Sequence, residues 1–224
     1  MSETNTLRDY LMKLGASEVG FADVNGLASE FIDLPNGISL VLKLPKKAMQ
    51  YIEEEDYPAY WNCFHTKIAE LTEISLKGEE YIKSLGYNAF ALTMQRNECD
   101  MEKLLSILPY KTIATKSGLG WIGRSALFVT PEYGSMVTLG GILTDMPLEF
   151  GTPITDSQCD DCENCQKACP VGAINPQKWN DRMNRADIID IEACKDYVID
   201  QYKNGLGCTK CMCECKLTQE YLKK

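Results

Sequence analysis

Four cysteines, in the run Cys159-Asp-Asp-Cys162-Glu-Asn-Cys165-Gln-Lys-Ala-Cys169-Pro170, follow the spacing C-x2-C-x2-C-x3-C-P, and nothing else in the chain restricts its folding so tightly. Each two-residue gap lets a tightly wound loop present thiolates to adjacent corners of an iron–sulfur cubane. The three-residue step puts the fourth sulfur on the far side of a helical turn, and Pro170 stops that turn. A second set, Cys208-x2-Cys211-x3-Cys215, lies near the C-terminus with Cys194 upstream.

In two-cluster bacterial ferredoxins the fourth Cys of such a run ligates the other cluster. Applied here, the arithmetic closes at eight: Cys159, Cys162 and Cys165 with Cys215 for one [4Fe-4S] cluster, and Cys169, Cys194, Cys208 and Cys211 for the other. A zinc site normally shows two C-x2-C pairs across a longer spacer, and it would leave cysteines over. Cys213 is the spare inside Cys211-Met212-Cys213-Glu214-Cys215, and Cys63 and Cys99 read as a small core residue and a free thiol.

The chain has 224 residues, enough for one large or two modest domains, with the 45% hydrophobic and 25% charged content of a globular protein. Its start shows no cationic segment followed by an apolar one, and no run is long enough to span a membrane. Cysteines at ligand spacing without an export signal imply a reducing cytoplasm. A net charge of −9 argues against a protein whose main task is gripping a polyanion.

Apolar spacing predicts a helix over Thr4–Leu14, strands over Glu18–Asp23 and Ile38–Leu44, and a solvated break around Glu53–Asp56. A long helix follows from about Pro58 to Leu85, stopped by Gly86. Tyr87–Thr93 reads as a strand, Met101–Leu108 and Lys111–Ser117 as helices, and Ala126–Thr130 and Met136–Thr144 as strands around the turn Pro131-Glu132-Tyr133-Gly134. The fold class is α+β, with a domain of mixed strands and helices over residues 1–146 and a cysteine-bearing domain over 147–224.

Ser117-Gly118-Leu119-Gly120-Trp121-Ile122-Gly123-Arg124 resembles a dinucleotide fingerprint, but it follows a helix and precedes a strand, the reverse of the required order. That order argues against a nicotinamide site. What remains is a tight structural turn or a backbone that must approach a bulky group. Trp121 either stacks on a flat cofactor or plugs the core.

Residues 111–174, from Lys111 through GLGWIGR, TPEYGS, ILTDMPLE and the Cys159 run to Val171-Gly172-Ala173-Ile174, closely resemble the epoxyqueuosine reductase family. The resemblance implies a cobalamin-dependent reductase with two [4Fe-4S] clusters, laid out like the reductive dehalogenases. An α/β domain related to nitroreductases would hold the corrinoid beside a ferredoxin-like double-cluster domain. Gly118, Gly120, Trp121, Gly123, Arg124, Thr130, Tyr133 and Gly134 would form the corrinoid's cradle, and reduced ferredoxin or flavodoxin would donate electrons to act on a small or modified organic substrate. The family's carboxylate just before the glycine loop is missing, which leaves Tyr110, and after it Asp100, as the candidate proton donor. The chain ends nine residues after Cys215, without the helical repeats that full-length members use toward tRNA. Together with the acidic balance this makes tRNA an unexpected partner and a short paralogue the expected identity. An electron carrier without its own substrate, or an activator reducing another protein's corrinoid, stay open beside the enzyme.

Overall fold

The computed structural model describes residues 2–28, 30–100, 105–201 and 208–224, with the side chains of 98–100, 105, 200 and 201 left aside. In chain order the elements are α1 (Glu3–Lys13), β1 (Glu18–Asp23), β2 (Asn36–Lys43), α2 (Lys47–Glu53), α3 (Tyr57–Ser84), β3 (Ala89–Leu92), α4 (Met94–Asn97), β4 (Glu98–Asp100), β5 (Leu105–Ser106) and α5 (Tyr110–Lys116). They continue with β6 (Trp121–Ile122), β7 (Phe128–Val129), β8 (Val137–Thr144), α6 (Asn164–Ala168), α7 (Arg185–Ile188), α8 (Ile191–Gln201), α9 (Lys210–Cys213) and α10 (Lys216–Lys223).

Two compact units result, and they interleave along the sequence instead of meeting at one cut near residue 146. The first gathers residues 1–42, 67–119 and 138–154, and the second gathers 43–66, 120–137 and 155–224. Interleaving has a plain cause: β8 is a central strand of the first unit, so the chain must return to that sheet after contributing residues 120–137 to the second.

The first unit is built on a four-stranded sheet ordered β1-β2-β8-β3, in which β1 pairs antiparallel with β2 and β3 with β8. Most residues of β1, β2 and β8 are buried in unbroken runs, as in strands covered on both faces. Leu7 and Leu11 of α1 and Leu71, Ile74 and Ile82 of α3 pack with Phe21, Ile38, Leu40 and Ile142 of the sheet. α1 starts at the Ser2 cap, whose hydroxyl accepts from the Asn5 N–H. A buried carboxylate ties α3 to β3: Glu79 accepts from the Ala91 N–H at 2.8 Å and from Arg96 Nη1 at 2.7 Å, and it also pairs with Lys83.

A helix was expected over Met101–Leu108. Residues 101–104 lie outside the described part, and Leu105–Ser106 are instead a strand paired with β4. Asn97 explains the difference, because its side chain accepts from the Leu108 N–H and donates to the Leu108 carbonyl, both at 3.1 Å. With the Ile107 N–H bonded to the Asn97 carbonyl at 2.9 Å, these bonds hold the returning chain beside its partner and occupy the amide N–H groups that the last turn of a helix would use.

The second unit has less regular structure. Leu44, Ala48, Met49, Ile52, Tyr60, Met136, Met212 and Tyr221 form its larger core, and Ala173, Ile174 and Ile189 form a smaller one among cysteines. Among the described residues no helix is long and apolar enough to cross a membrane.

Candidate cluster site

Within the second unit, Cys159, Cys162, Cys165 and Cys215 line one cavity of about 460 Å³. Cys159 and Cys162 stand in a loop that turns at Asp160, a non-glycine residue in the left-handed region at φ 48°. The Cys162 N–H closes that turn on the Cys159 carbonyl at 3.0 Å. Cys165 lies in the short helix α6, and Cys215 caps the start of α10. Burial pushes the Cys165 thiol up to about 11, and the neighbouring Cys159, Cys215 and Cys162 push it the same way.

Cys169, Cys194, Cys208 and Cys211 form the second gathering. Burial pushes Cys211 up to about 12, with Cys208, Cys165, Cys194 and Cys169 adding to it, and Cys194 is raised by burial and then by Cys169 and Cys208. Cys165 and Cys211 both pack against the small core of Ala173, Ile174 and Ile189. The Ala173 N–H donates to Cys169 Sγ at 3.3 Å, so the Val171–Ile174 segment presents a backbone donor to sulfur. Thiols this reluctant to ionise alone are ordinary for cluster ligands, because a bound metal takes the place of the proton. Among the described residues no three His, Cys, Asp or Glu side chains converge on a single ion. A cubane requires no such convergence, since each thiolate binds a different iron.

The GLGWIGR loop turns toward the first gathering. Trp121 is 3% exposed, and its indole N–H donates to Cys159 Sγ at 3.4 Å. Gly123 lies so close that a Cβ there would stand 3.6 Å from the same sulfur. Arg124 is 6% exposed and donates through Nη1 to the Pro176 carbonyl and through Nη2 to the Asp160 carbonyl at 3.2 Å. Its Nε is buried without a hydrogen-bond partner.

Gly118 and Gly120 have reasons inside the protein. A Cβ on Gly118, at φ 77°, would fall 2.5 Å from the Thr152 carbonyl oxygen, and one on Gly120 would fall 2.1 Å from that of Val129. These glycines therefore need no bulky cofactor to account for them. The turn after β7 likewise serves the chain itself. Thr130 and Gly134 exchange two backbone hydrogen bonds, and Thr130 Oγ1 accepts from the Tyr133 N–H at 3.0 Å. A Cβ on Gly134 would meet the Thr218 nitrogen at 2.2 Å, and the Tyr133 ring stands edge-on to Tyr221 at 5.3 Å. Both partners belong to α10, the helix that Cys215 caps. The two motifs expected to cradle a corrinoid thus also seat Cys159 and Cys215.

Tyr110, the candidate proton donor, lies in the first unit and donates its hydroxyl to the Leu92 carbonyl at 2.9 Å. Its hydrogen is directed into the main chain. The side chains of Asp100 and Cys99 lie outside the described residues. His65 is exposed beside the Trp61 ring, Cys63 packs among the aromatics of the larger core, and Cys213 is half-buried there, its thiol pushed up to about 11 chiefly by burial. What the sequence missed is the partnership of Trp121 with sulfur, which a donor side chain between two glycines can signal only once the facing loop is known.

No protein-family model matches the chain. In sequence it is 36% identical over 109 residues to the epoxyqueuosine reductase of Listeria monocytogenes, covering 46% of this chain and 28% of that one. It is 28% identical over 156 residues to the Aliivibrio fischeri enzyme, covering 67% and 38%. The chain is a relative of the epoxyqueuosine reductases. It spans little more than a quarter to two fifths of the length of these curated relatives. In fold it matches an epoxyqueuosine reductase solved with a tRNA-Tyr epoxyqueuosine-modified stem loop, at a TM-score of 0.62 and 17% identity over 96% of this chain and 65% of that one. A reductive dehalogenase whose structure suggests a mechanism for B12-dependent dehalogenation matches at 0.73 and 17%, over 93% and 30%.

The expectation that tRNA is not a partner is overturned by these likenesses. The curated relatives are epoxyqueuosine reductases, and the fold is that of one solved with a tRNA stem loop. Net charge misled because it sums the whole surface, whereas a polyanion meets only the local field of the patch it touches.

Proposed function

We propose that this chain is an iron–sulfur oxidoreductase of the epoxyqueuosine reductase type, acting in the cytoplasm on the epoxyqueuosine of a tRNA. Cys159, Cys162, Cys165 and Cys215 would hold one [4Fe-4S] cluster, and Cys169, Cys194, Cys208 and Cys211 the other, forming a ferredoxin-like domain in addition to a cobalamin-binding one. The observation that carries this reading is the single cavity ringed by the first four cysteines, with an indole N–H aimed at one sulfur. Trp121 and Arg124 fix the Cys159 loop, and the Thr130–Gly134 turn fixes the helix that Cys215 caps. The clusters supply one-electron storage, and a bound cobalamin supplies a cobalt centre that can be reduced and can attack an organic substrate. Cobalamin enters on the kinship with the reductases and the B12-dependent dehalogenase fold, with no cradle assigned to residues 118–134.

Anaerobic reconstitution followed by iron counting, titration with cob(II)alamin, and incubation with reductant and an epoxyqueuosine-bearing stem loop tests each layer in turn. About eight irons, four per cubane, are expected. Conversion of the nucleoside, read by mass spectrometry, is the result expected of the enzyme. Eight irons without cobalamin binding would favour the electron carrier, a reading supported by the packing role of Gly118 and Gly120 and by the engaged hydroxyl of Tyr110. Stoichiometric zinc without iron uptake would overturn both.

A further inference from the structure

Arg124 is a buried cation whose charge meets no carboxylate among the described residues. Two of its nitrogens go to main-chain carbonyls, and the third, Nε, is buried with no partner at all. Leaving a guanidinium in this state is costly unless a negative charge stands nearby. The same cavity wall carries Cys159, Cys162, Cys165 and Cys215. Four thiolates around an iron–sulfur core leave the assembly negative, and one-electron reduction makes it more so. Such a cluster is the counter-charge that the buried arginine lacks.

Trp121 adds a second, independent term at the same place. Its N–H donates to Cys159 Sγ at 3.4 Å from a ring that is 3% exposed. A hydrogen bond to a ligand sulfur stabilises the more electron-rich state, which raises the reduction potential, as does a nearby positive charge. Opposing charges are present but stand in water: Asp160 and Asp161 line the cavity and are exposed, and the Asp161 carboxylate lies 3.5 Å from Lys178. Solvent screens those two strongly and the buried Arg124 little, so the positive contribution wins. Lys216, also on the wall, is exposed and screened as the two carboxylates are.

We propose that Trp121 and Arg124 poise the Cys159 cluster, holding its reduction potential above that of the same four thiolates without them. The inference rests on the double-cluster reading. It makes both residues positioning and tuning groups of the electron path and not ligands of a corrinoid or a phosphate.

The test is an anaerobic potentiometric titration of the reconstituted full chain followed by electron paramagnetic resonance. The Cys159 cluster's signal is assigned by its change in Cys215→Ser. Trp121→Phe is expected to shift that cluster's reduction equilibrium about threefold to tenfold toward the oxidised form, a potential lower by roughly 28–59 mV at 59 mV per tenfold. Arg124→Met should shift it the same way, and Arg124→Lys, which keeps the charge, should restore most of the difference. The other cluster's potential should stay put in all three.

Benzothienylalanine at position 121 keeps the ring's shape and removes only the donor, so it decides the matter if Trp121→Phe loses iron. Full iron content with an unmoved potential in the position-121 variants and in Arg124→Met would overturn the proposal while leaving the clusters in place. Failure of the unaltered chain to take up iron would overturn the cluster reading itself, and this inference with it.

Discussion

Gly120→Ala separates the two explanations of the glycine loop. The added methyl would sit 2.1 Å from the Val129 carbonyl oxygen, 2.8 Å from Phe128 Cζ and 3.0 Å from the Val129 carbonyl carbon. Two of these three atoms are main chain, so relief requires the β6–β7 pair, in which Trp121 faces Val129 and Ile122 faces Phe128, to part by about an ångström or more. Overpacking of this kind costs about 1–3 kcal/mol, and losing two ladder hydrogen bonds raises the total to about 3–5 kcal/mol. For a chain of this size that lowers the melting midpoint by roughly 6–20 °C. Circular dichroism on reconstituted protein, with no cobalamin added, reads the change, and iron content should fall with it because Trp121 moves away from Cys159. Gly26→Ala is the control: φ there is 78° but nothing lies within 4 Å, so only backbone strain of about 1–2 kcal/mol is expected. A Gly120→Ala protein that melts like the unaltered chain, keeps its iron and loses only cobalamin affinity would refute the packing argument and return the loop to the cofactor.

Three further outcomes are expected. Burial alone would raise the Glu79 carboxyl, but the hydrogen bonds from Arg96, Lys83 and the Ala91 N–H outweigh it and hold the group at about 2 instead of 4.5. Its contribution, about 2 kcal/mol after allowing for the half-exposed Lys83, is present in full above pH 4.5 and is lost as pH falls toward 2. Glu79→Gln should therefore be less stable at pH 7 by that amount and converge with the unaltered chain near pH 2 in urea titrations, and parallel curves would refute the linkage. Cys169→Ser should damage the cluster of Cys194, Cys208 and Cys211 and spare that of its sequence neighbours, as read by iron content and the two resonance signals, and loss of the opposite cluster would refute the pairing. Tyr110→Phe should cost about 1 kcal/mol for the bond to the Leu92 carbonyl and change turnover less than threefold, whereas a hundredfold loss would restore the phenol as a general acid.

Much of the first unit could be read from the chain because its signals are local. Leu7 and Leu11 recur on one helical face, β1 runs over the residues its composition marks, and the longest helix stops where Gly86 takes φ 92°. The element α2 escaped notice because its three buried residues, Ala48, Met49 and Ile52, are interrupted by polar ones and followed by an acidic run. Leu105–Ser106 escaped for a different reason: Asn97, some ten residues away, decides its conformation. The interleaving of the two units is a long-range property, fixed by the return of β8 to the sheet, and no window of sequence reports it.

The site divides along the same line. Cysteine spacing is legible because ligand geometry is imposed on a short loop, so its chemistry is written within a dozen residues. The purpose of a glycine is not, because a missing side chain records only that something comes close. Gly120 and Gly134 read as room for a macrocycle, and each has a close main-chain neighbour of its own, Val129 and Thr218. Once those neighbours are known, the two motifs share a logic that neither has alone. One places an indole donor and a buried guanidinium at the Cys159 loop, and the other seats the helix that begins at Cys215. Both brace the same cavity from opposite ends of its ligand set, which suits the rigidity and potential proposed for that cluster. Electron transfer depends on those two properties whichever substrate lies at the end of the path.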